Sequence, residues 1–242
     1  MAYTTIDDPT AHFQAKQYTG NGSTGQSITF DGTSNLQPDW LWNKVVSASD
    51  SHASFDSSRG VNKILYPNLA LAEGTDGNGN IGSFDSNGFT VGGNQQYANH
   101  ASATQCTWAW KAGGGSGNRT TFSESGNNPA GGYQANTTAG FSIVDYTGTG
   151  SAGTIAHGLD SAPDWIMVKN LDDSSKNWNV YVPDFGNTYL ELNTTASGFT
   201  GSSYFNNTAP TNSMMGGVLR NSGKGCSDCC REHVHVSFCV PT

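Results

Sequence analysis

The residues best suited to binding a metal ion are concentrated near the end of the chain. Four of the five cysteines lie there, together with two of the six histidines. Thiolates and imidazoles are the ligands that zinc prefers, although the spacing here differs from the two separated ligand pairs of common structural zinc modules. One prediction is therefore a zinc site formed by Cys226, Cys229, Cys230, His233, His235 and Cys239.

Two other interpretations of this segment stay open. Disulfide pairing would suit a particle that leaves the cell. Alternatively, the segment is out of frame, because one permitted back-translation of residues 226–241, shifted by one base, encodes a Gly-Ser turn and an aromatic strand. We prefer this last interpretation; a stop codon in the shifted frame of the gene would exclude it.

A second group of candidate metal ligands lies in the oxygen-rich stretch "EGTDGNGNIGSFDSNG". Carboxylate and amide oxygens in a flexible loop suit calcium, although no glutamate closes the loop as in an EF-hand. The stretch predicts either a plain solvated loop or a calcium site formed by Asp76, Asn78, Asn80 and Asp85. No other cofactor is indicated.

Aromatic and amide side chains in two predicted loops are suited to binding sugars. An aromatic ring stacks on the apolar face of a sugar, while amides meet its hydroxyl groups. Tyr97 and Asn99 in "NQQYANH", and Trp178 and Tyr181 in "KNWNVYV", are the candidates.

Acidic residues do not form a recognisable catalytic pair. Most lie beside Gly, Pro or Ser, where aspartate is favoured as a turn residue. Asp39 and Asp164 both stand between a proline and a tryptophan, so we interpret them as duplicated turn residues. There is also no Gly-x-Ser-x-Gly, His-Glu-x-x-His or phosphate-loop motif. The sequence therefore predicts a protein that is not an enzyme.

The framework for these residues is a repeated pattern of strands. The phrase "YTGNG" at residue 18 recurs as "YTGTG" at residue 146, and "PDW" at residue 38 recurs at residue 163. Each copy shows strand-like alternation; in "CTWAWKAG", for example, Trp108 and Trp110 share one face of a strand. The second copy lacks an equivalent of this closing strand, and "SNG" at residues 86–88 predicts a hairpin turn.

These patterns predict an all-β protein made of two tandem antiparallel β-sandwiches of the jelly-roll or concanavalin type. The predicted modules are residues 1–112 and 139–242. Residues 113–138 are rich in Gly, Ser and Asn, and are predicted to form a linker or long loop.

Composition excludes several classes of partner. Only 12% of residues are charged and the net charge is -8, so a basic surface for nucleic acid is not available. No run of eighteen apolar residues and no signal peptide is present, so we expect no membrane span.

Several words of the sequence carry a resemblance to a known group of proteins. "YTGNGS", "ITFDG", "LQPDWLW", "SFDSNGFTVG" and "TWAWKAGG" resemble the repeated modules of tail-fibre and related virion proteins of marine and freshwater tailed bacteriophages. The resemblance covers roughly residues 1–210. It implies a lectin-like or concanavalin-like β-sandwich in a structural or host-attaching virion component, and it implies no catalytic residues.

We therefore expect a non-enzymatic virion protein, assembled in the host cytoplasm. The first hypothesis is a tail-fibre or tail-associated adhesin that contacts a host-surface glycan. The alternative is a capsid-decoration or fibril subunit that acts through protein–protein contacts. Other virion proteins and further copies of the same chain are the expected partners.

Overall fold

A computed structural model of the chain describes residues 6–75, 80–93, 96–186, 188–200, 205, 208–218 and 233–239. Within these ranges the regular structure is strand, apart from the short 3₁₀ helices Pro9–Ala11, Ser116–Asn118 and Pro183–Phe185. All strand pairs are antiparallel. The prediction of an all-β antiparallel protein is confirmed. In this part of the chain, no helix has the length and apolar character needed to cross a membrane.

The chain divides into two compact units, Met1–Asn118 and Arg119–Thr242. The described strands of the N-terminal unit are β1 (Phe13–Thr19), β2 (Ser27–Thr29), β3 (Trp40–Val45), β4 (Ala53–Asp56), β5 (Lys63–Ile64), β6 (Gly74–Thr75), β7 (Ile81–Asp85), β8 (Gly88–Val91) and β9 (Thr104–Trp110). Those of the C-terminal unit are β10 (Thr120–Phe122), β11 (Gly131–Asn136), β12 (Phe141–Thr147), β13 (Ala152–Ala156), β14 (Trp165–Asn170), β15 (Asn179–Tyr181), β16 (Thr188–Glu191), β17 (Phe199–Thr200), β18 (Met214–Val218) and β19 (His233–Cys239).

The segment 113–138 differs from the predicted linker, because it contains β10 and β11, which pair with each other and with β12. Two of its glycines, Gly131 and Gly132, lie where the chain packs closely. A Cβ atom at Gly131 would lie 2.3 Å from the carbonyl oxygen of Asp145 on the neighbouring strand. The boundary between the units is therefore a point in the chain near residue 118, and glycine content alone did not distinguish tight packing from flexibility.

In the N-terminal unit, one sheet has the strand order β1-β9-β3-β4 and another has the order β2-β8-β7. Strand β9 alternates between buried Gln105, Thr107 and Ala109 and partly exposed intervening residues. Ala109 joins Leu41, Phe55 and residues of the second sheet in one hydrophobic core. The first sheet therefore has one face on the core, and its opposite face carries the tryptophans of β9.

The hairpin predicted at residues 86–88 is confirmed as the β7–β8 turn. Gly88 has a φ of 127°, and a Cβ there would lie 2.0 Å from the carbonyl oxygen of Ile28, so glycine is required. The Asn87 side chain accepts a hydrogen bond from the Leu36 amide and donates one to the Phe30 carbonyl.

The C-terminal unit has a sheet with the order β10-β11-β12-β19-β14-β15-β16-β17, and β13 pairs with β18. Strand β19 lies between β12 and β14, as β9 lies between β1 and β3. The closing strand that the second half was expected to lack is therefore formed by residues 233–239. The matching rows across the two sheets are Phe13, Trp110 and Trp40 in one unit, and Phe141, Cys239 and Trp165 in the other.

In each unit, a lysine near the end of a corresponding strand, β3 or β14, orders the loop that follows that strand. The ammonium group of Lys44 donates hydrogen bonds to the carbonyls of Val45, Ala48 and Asp50. The ammonium group of Lys169 likewise donates to carbonyls at residues 170, 173 and 176. Burial lowers the pKa of Lys169 to about 8, while the nearby charge of residue 173 acts in the opposite direction. Both loops are thus wrapped around a lysine of the preceding strand.

Ser102 is the one described residue other than glycine with a positive φ, at 61°. It occupies an exposed turn in which the Ala103 amide bonds to the His100 carbonyl. Because a side chain is strained in this region of φ, we expect Ser102→Gly to raise the free energy of unfolding by about 0.5–1 kcal/mol. Urea denaturation measures the change, and a decrease in stability would contradict this account of the turn.

His157 holds a loop of the C-terminal unit through a defined tautomer. The Leu159 amide donates to Nδ1 at 3.1 Å, so Nε2 carries the proton that is donated to the Thr211 carbonyl at 3.1 Å. Burial lowers the pKa of His157 below 6.5, although the bond to Thr211 acts in the opposite direction.

This pKa shift predicts acid sensitivity. As the pH falls below 6.5, the unfolded chain binds a proton at His157 more readily than the folded chain does. The contribution of neutral His157 to the free energy of unfolding is therefore complete above pH 6.5 and declines as the pH falls. The difference in unfolding free energy between the native protein and His157→Gln should therefore shrink between about pH 7.5 and 5.5. A difference that stays constant in denaturant titrations would contradict the prediction.

Candidate ligand-binding surface

The face of the β1-β9-β3 sheet that points away from the core is lined with aromatic residues. Residues directly opposite each other in antiparallel strands lie on the same face of the sheet. Phe13, Trp110 and Trp40 form one such row, and Ala15, Trp108 and Trp42 form the next. We call the surface formed by Phe13, Trp40, Trp42, Trp108 and Trp110 the aromatic face.

Four of these rings follow one another in contact. The centroid distances are 4.9 Å for Phe13–Trp110, 4.8 Å for Trp110–Trp40 and 5.7 Å for Trp40–Trp42. Phe13 is 39% exposed and Trp40 only 4% exposed, while Trp42, Trp108 and Trp110 are partly exposed. The aromatic face therefore combines a buried centre with rings that reach solvent.

His52 continues this row beyond β3. The indole Nε1 of Trp42 donates a hydrogen bond to Nδ1 of His52 at 2.9 Å, and the two ring centroids are 6.0 Å apart. Burial lowers the pKa of His52, and the positive charge of Lys44 lowers it further. Both effects favour the neutral imidazole, whose Nδ1 accepts the indole proton, so this contact fixes the orientation of Trp42.

The buried carboxylate of Asp39 supports the aromatic face from below. It accepts hydrogen bonds from the Gly114 and Gly115 amides at 2.7 Å each and from the Ala112 amide at 2.8 Å. The Ser57 hydroxyl donates a fourth bond at 2.7 Å. Asp39 therefore links the segment that follows β9 to the start of β3. This is a larger role than that of a turn residue.

A polar cluster lies in the loops of the same unit. Nδ1 of His100 and Oδ2 of Asp50 are 2.7 Å apart, and the Gln96 amide also donates to Asp50. Burial raises the pKa of Asp50, but the hydrogen bonds from Gln96 and His100 and the charges of His100 and Lys44 together lower it below its ordinary value. Lys44 also donates a hydrogen bond to the Asp50 backbone carbonyl, so the lysine holds the loop that carries this acidic group.

Contacting aromatic rings, and polar side chains in the loops of the same unit, are suited to recognition of a sugar. The apolar faces of sugar rings pack against aromatic side chains, and the hydroxyl groups bind polar ones.

Residues 8–239 match a protein family described as a domain of unknown function, DUF7483. The chain belongs to the DUF7483 family. No curated protein and no solved structure matches it.

The DUF7483 match covers most of both compact units. The aromatic face and the C-terminal sheet are therefore parts of one family unit.

Tyr97 and Asn99, which sequence analysis selected for sugar binding, serve the packing of DUF7483 loops. Tyr97 is half-buried and its ring lies edge-on to Tyr66 at 5.3 Å. Asn99 is fully buried, and its side chain binds the backbone of residues 21–23. Asn99 is therefore enclosed, and only part of the Tyr97 surface reaches solvent.

Trp178 and Tyr181 are also buried, at 0% and 7% exposure. Tyr181 packs in the core of the C-terminal unit with Phe205, at a centroid distance of 5.2 Å. Neither ring presents a face to a sugar in this structure. Both rings lie among buried side chains of the C-terminal unit, and their role in sugar binding stays a prediction.

The predicted calcium ligands are only partly within the described residues. Asp76 and Asn78 lie outside them. Asn80 is 2% exposed, and Asp85 accepts hydrogen bonds from the hydroxyls of Ser83 and Thr90. In the described ranges, no group of three or more His, Cys, Asp or Glu side chains is placed to hold a metal ion.

The predicted zinc ligands likewise remain a prediction. Cys226, Cys229 and Cys230 lie outside the described residues. His233, His235 and Cys239 occupy alternate positions of β19, where Cys239 is opposite Phe141 and Trp165. The backbone of β19 therefore places these three positions in the middle of a sheet.

The aromatic face itself was not selected by sequence analysis. The signal was present in "CTWAWKAG", whose alternation places Trp108 and Trp110 on one side of β9. The core is instead filled by Ala109 and its neighbours, from the other side of the strand. Small and polar residues at the alternate positions were the available evidence that the core lies on the other side.

Proposed function

We propose that this DUF7483 protein is a non-catalytic adhesin of a tailed-phage virion, whose aromatic face binds a glycan on the host surface. The observation that carries the proposal is the row of contacting rings from Phe13 to Trp42, ending at His52. Rings that are already packed and oriented lose little conformational entropy when a ligand binds. A chain of several sugar units has the extended shape that such a row accommodates.

The uses of the buried acids support binding without catalysis. Glycoside hydrolases use a pair of carboxyl groups about 5–9 Å apart around the scissile bond. Asp39 is occupied by three amides and a hydroxyl, and Asp56 is paired with Arg59 at 2.5 Å. These carboxylates hold loops in place, which favours a binding role for the surface above them.

We further propose that the two units are copies of one β-sandwich module. Three observations support this: the shared strand order, the shared register across the central strands, and the lysines that bind the loops after β3 and β14. The proline-aspartate-tryptophan phrase precedes that strand in both copies. Duplication would have allowed the N-terminal copy to specialise in ligand binding.

Placement in a virion is supported by the resemblance of the sequence words to phage tail-fibre modules. Other virion proteins and further copies of the chain are the proposed partners. Reconstruction of the intact particle tests this placement. Density at the tail periphery with the aromatic face accessible is the expected result, whereas a continuous lattice that covers this face would favour a structural subunit.

Binding to host polysaccharide is the direct test of the ligand. The purified protein is titrated with polysaccharide fractions from the host surface while tryptophan fluorescence and heat are recorded. Saturable binding with a change in tryptophan emission is expected. Absence of binding to every fraction of a susceptible host would overturn the proposal.

A further inference from the structure

The corresponding strands β1 and β12 differ in the neighbouring strand on one side. In the C-terminal unit, β12 has β19 on one side and β11 on the other. In the N-terminal unit, β1 has β9 on one side and is the edge strand of its sheet among the described strands. Among the described strands, none occupies beside β1 the position that β11 has beside β12.

The β1 edge has the features of a strand that accepts a partner. It is seven residues long and pairs with β9 over its whole length, so its backbone is regular. Protected edge strands are usually short, bulged or charged. On its outward face, Phe13, Ala15, Gln17 and Thr19 are all exposed and uncharged. The charge of Lys16, on the opposite face, is paired with Asp31 at 2.7 Å.

We infer that β1 pairs with β1 of a second copy of this chain, antiparallel and about a twofold axis at Ala15. A second copy is favoured because the strand is self-complementary in this register. Phe13 of each copy faces Gln17 of the other, and Gln14 faces Lys16. Pairing about Lys16 would instead place like charges directly opposite, which is unfavourable. The register about Ala15 avoids this repulsion and covers the exposed ring of Phe13.

The pairing would join the two four-stranded sheets into one continuous hydrogen-bonded sheet. It would also place two aromatic faces on the same side of that sheet. If the proposed glycan function holds, a dimer would bind a repeating polymer at two points and gain avidity. The pairing itself does not depend on any ligand.

Charge variants at the proposed twofold axis test the inference. Ala15 is exposed, so Ala15→Lys and Ala15→Glu are compatible with the fold. Sedimentation equilibrium of the full chain without glycan should show a dimer. Each variant alone places like charges opposite each other and should weaken the dimer by roughly fivefold, whereas a mixture of the two variants should restore it.

Thr120→Lys, on the exposed edge strand of the other sheet, is the matched control and should leave the dimer unchanged. A native chain that remains monomeric at its highest soluble concentration would overturn the inference. So would a dimer that is insensitive to Ala15→Lys, or variants whose mixture fails to re-associate. Because no glycan is present, these outcomes are separate from failure of the proposed ligand binding.

Discussion

Replacing Asp39 with alanine is expected to lower the free energy of unfolding of the N-terminal unit by about 3–4 kcal/mol. The carboxylate is fully buried and accepts three backbone amides of residues 112–115 and the Ser57 hydroxyl. Without it, these donors lose a charged acceptor in a site that water does not reach. Loss of several charge-assisted hydrogen bonds at once places this change among the most destabilising single substitutions.

Asp164→Ala is the matched control, because Asp164 has the same place in the second proline-aspartate-tryptophan phrase. Asp164 is exposed to solvent. Its loss should change stability by less than about 0.5 kcal/mol. Urea denaturation followed by tryptophan fluorescence compares the two variants. An equal loss of unfolding free energy in both variants would show that the hydrogen bonds of Asp39 do not explain its contribution to stability.

Replacing Trp108 with alanine is expected to weaken the proposed glycan binding by about 30-fold. Trp108 lies in the second row of the aromatic face, beside Ala15 and Trp42, and is partly exposed. Central tryptophans of binding surfaces commonly contribute 2 kcal/mol or more, which corresponds to this factor. Since the inward neighbours Thr107 and Ala109 remain in place, the fold should persist.

Phe185→Ala is the control for loss of an exposed ring elsewhere. Phe185 is 50% exposed and lies in the 3₁₀ helix Pro183–Phe185 of the other unit. Isothermal titration calorimetry should show that Phe185→Ala binds the glycan with the same affinity as the native protein. Circular dichroism of both variants verifies that each is folded. An unchanged affinity in folded Trp108→Ala would remove the aromatic face as the binding site.

Asp39 and Asp164 have different environments in the structure. Sequence context indicated equivalent turn residues, because both lie between the same neighbours. Asp39 is enclosed because the chain after β9 returns to it with three amides. In contrast, Trp165 after Asp164 is 46% exposed, whereas Trp40 is 4% exposed. Similar local sequences thus have different environments, since three of the four donors to Asp39 come from more than seventy positions away.

The strands next to the Asn87-Gly88 turn and the strand in "CTWAWKAG" were predictable from the sequence alone. Alternation in "CTWAWKAG", the turn at Asn87-Gly88 and the repeated proline-aspartate-tryptophan phrase are local features, and local backbone preferences are sufficient to express them. The tertiary structure decided which face of each strand meets the core. It placed Trp108 outward, enclosed Trp178 and Asn99, and turned the expected linker at 120–136 into sheet. Burial depends on which distant strands pack together, and a residue's own neighbours in the chain carry little information about that.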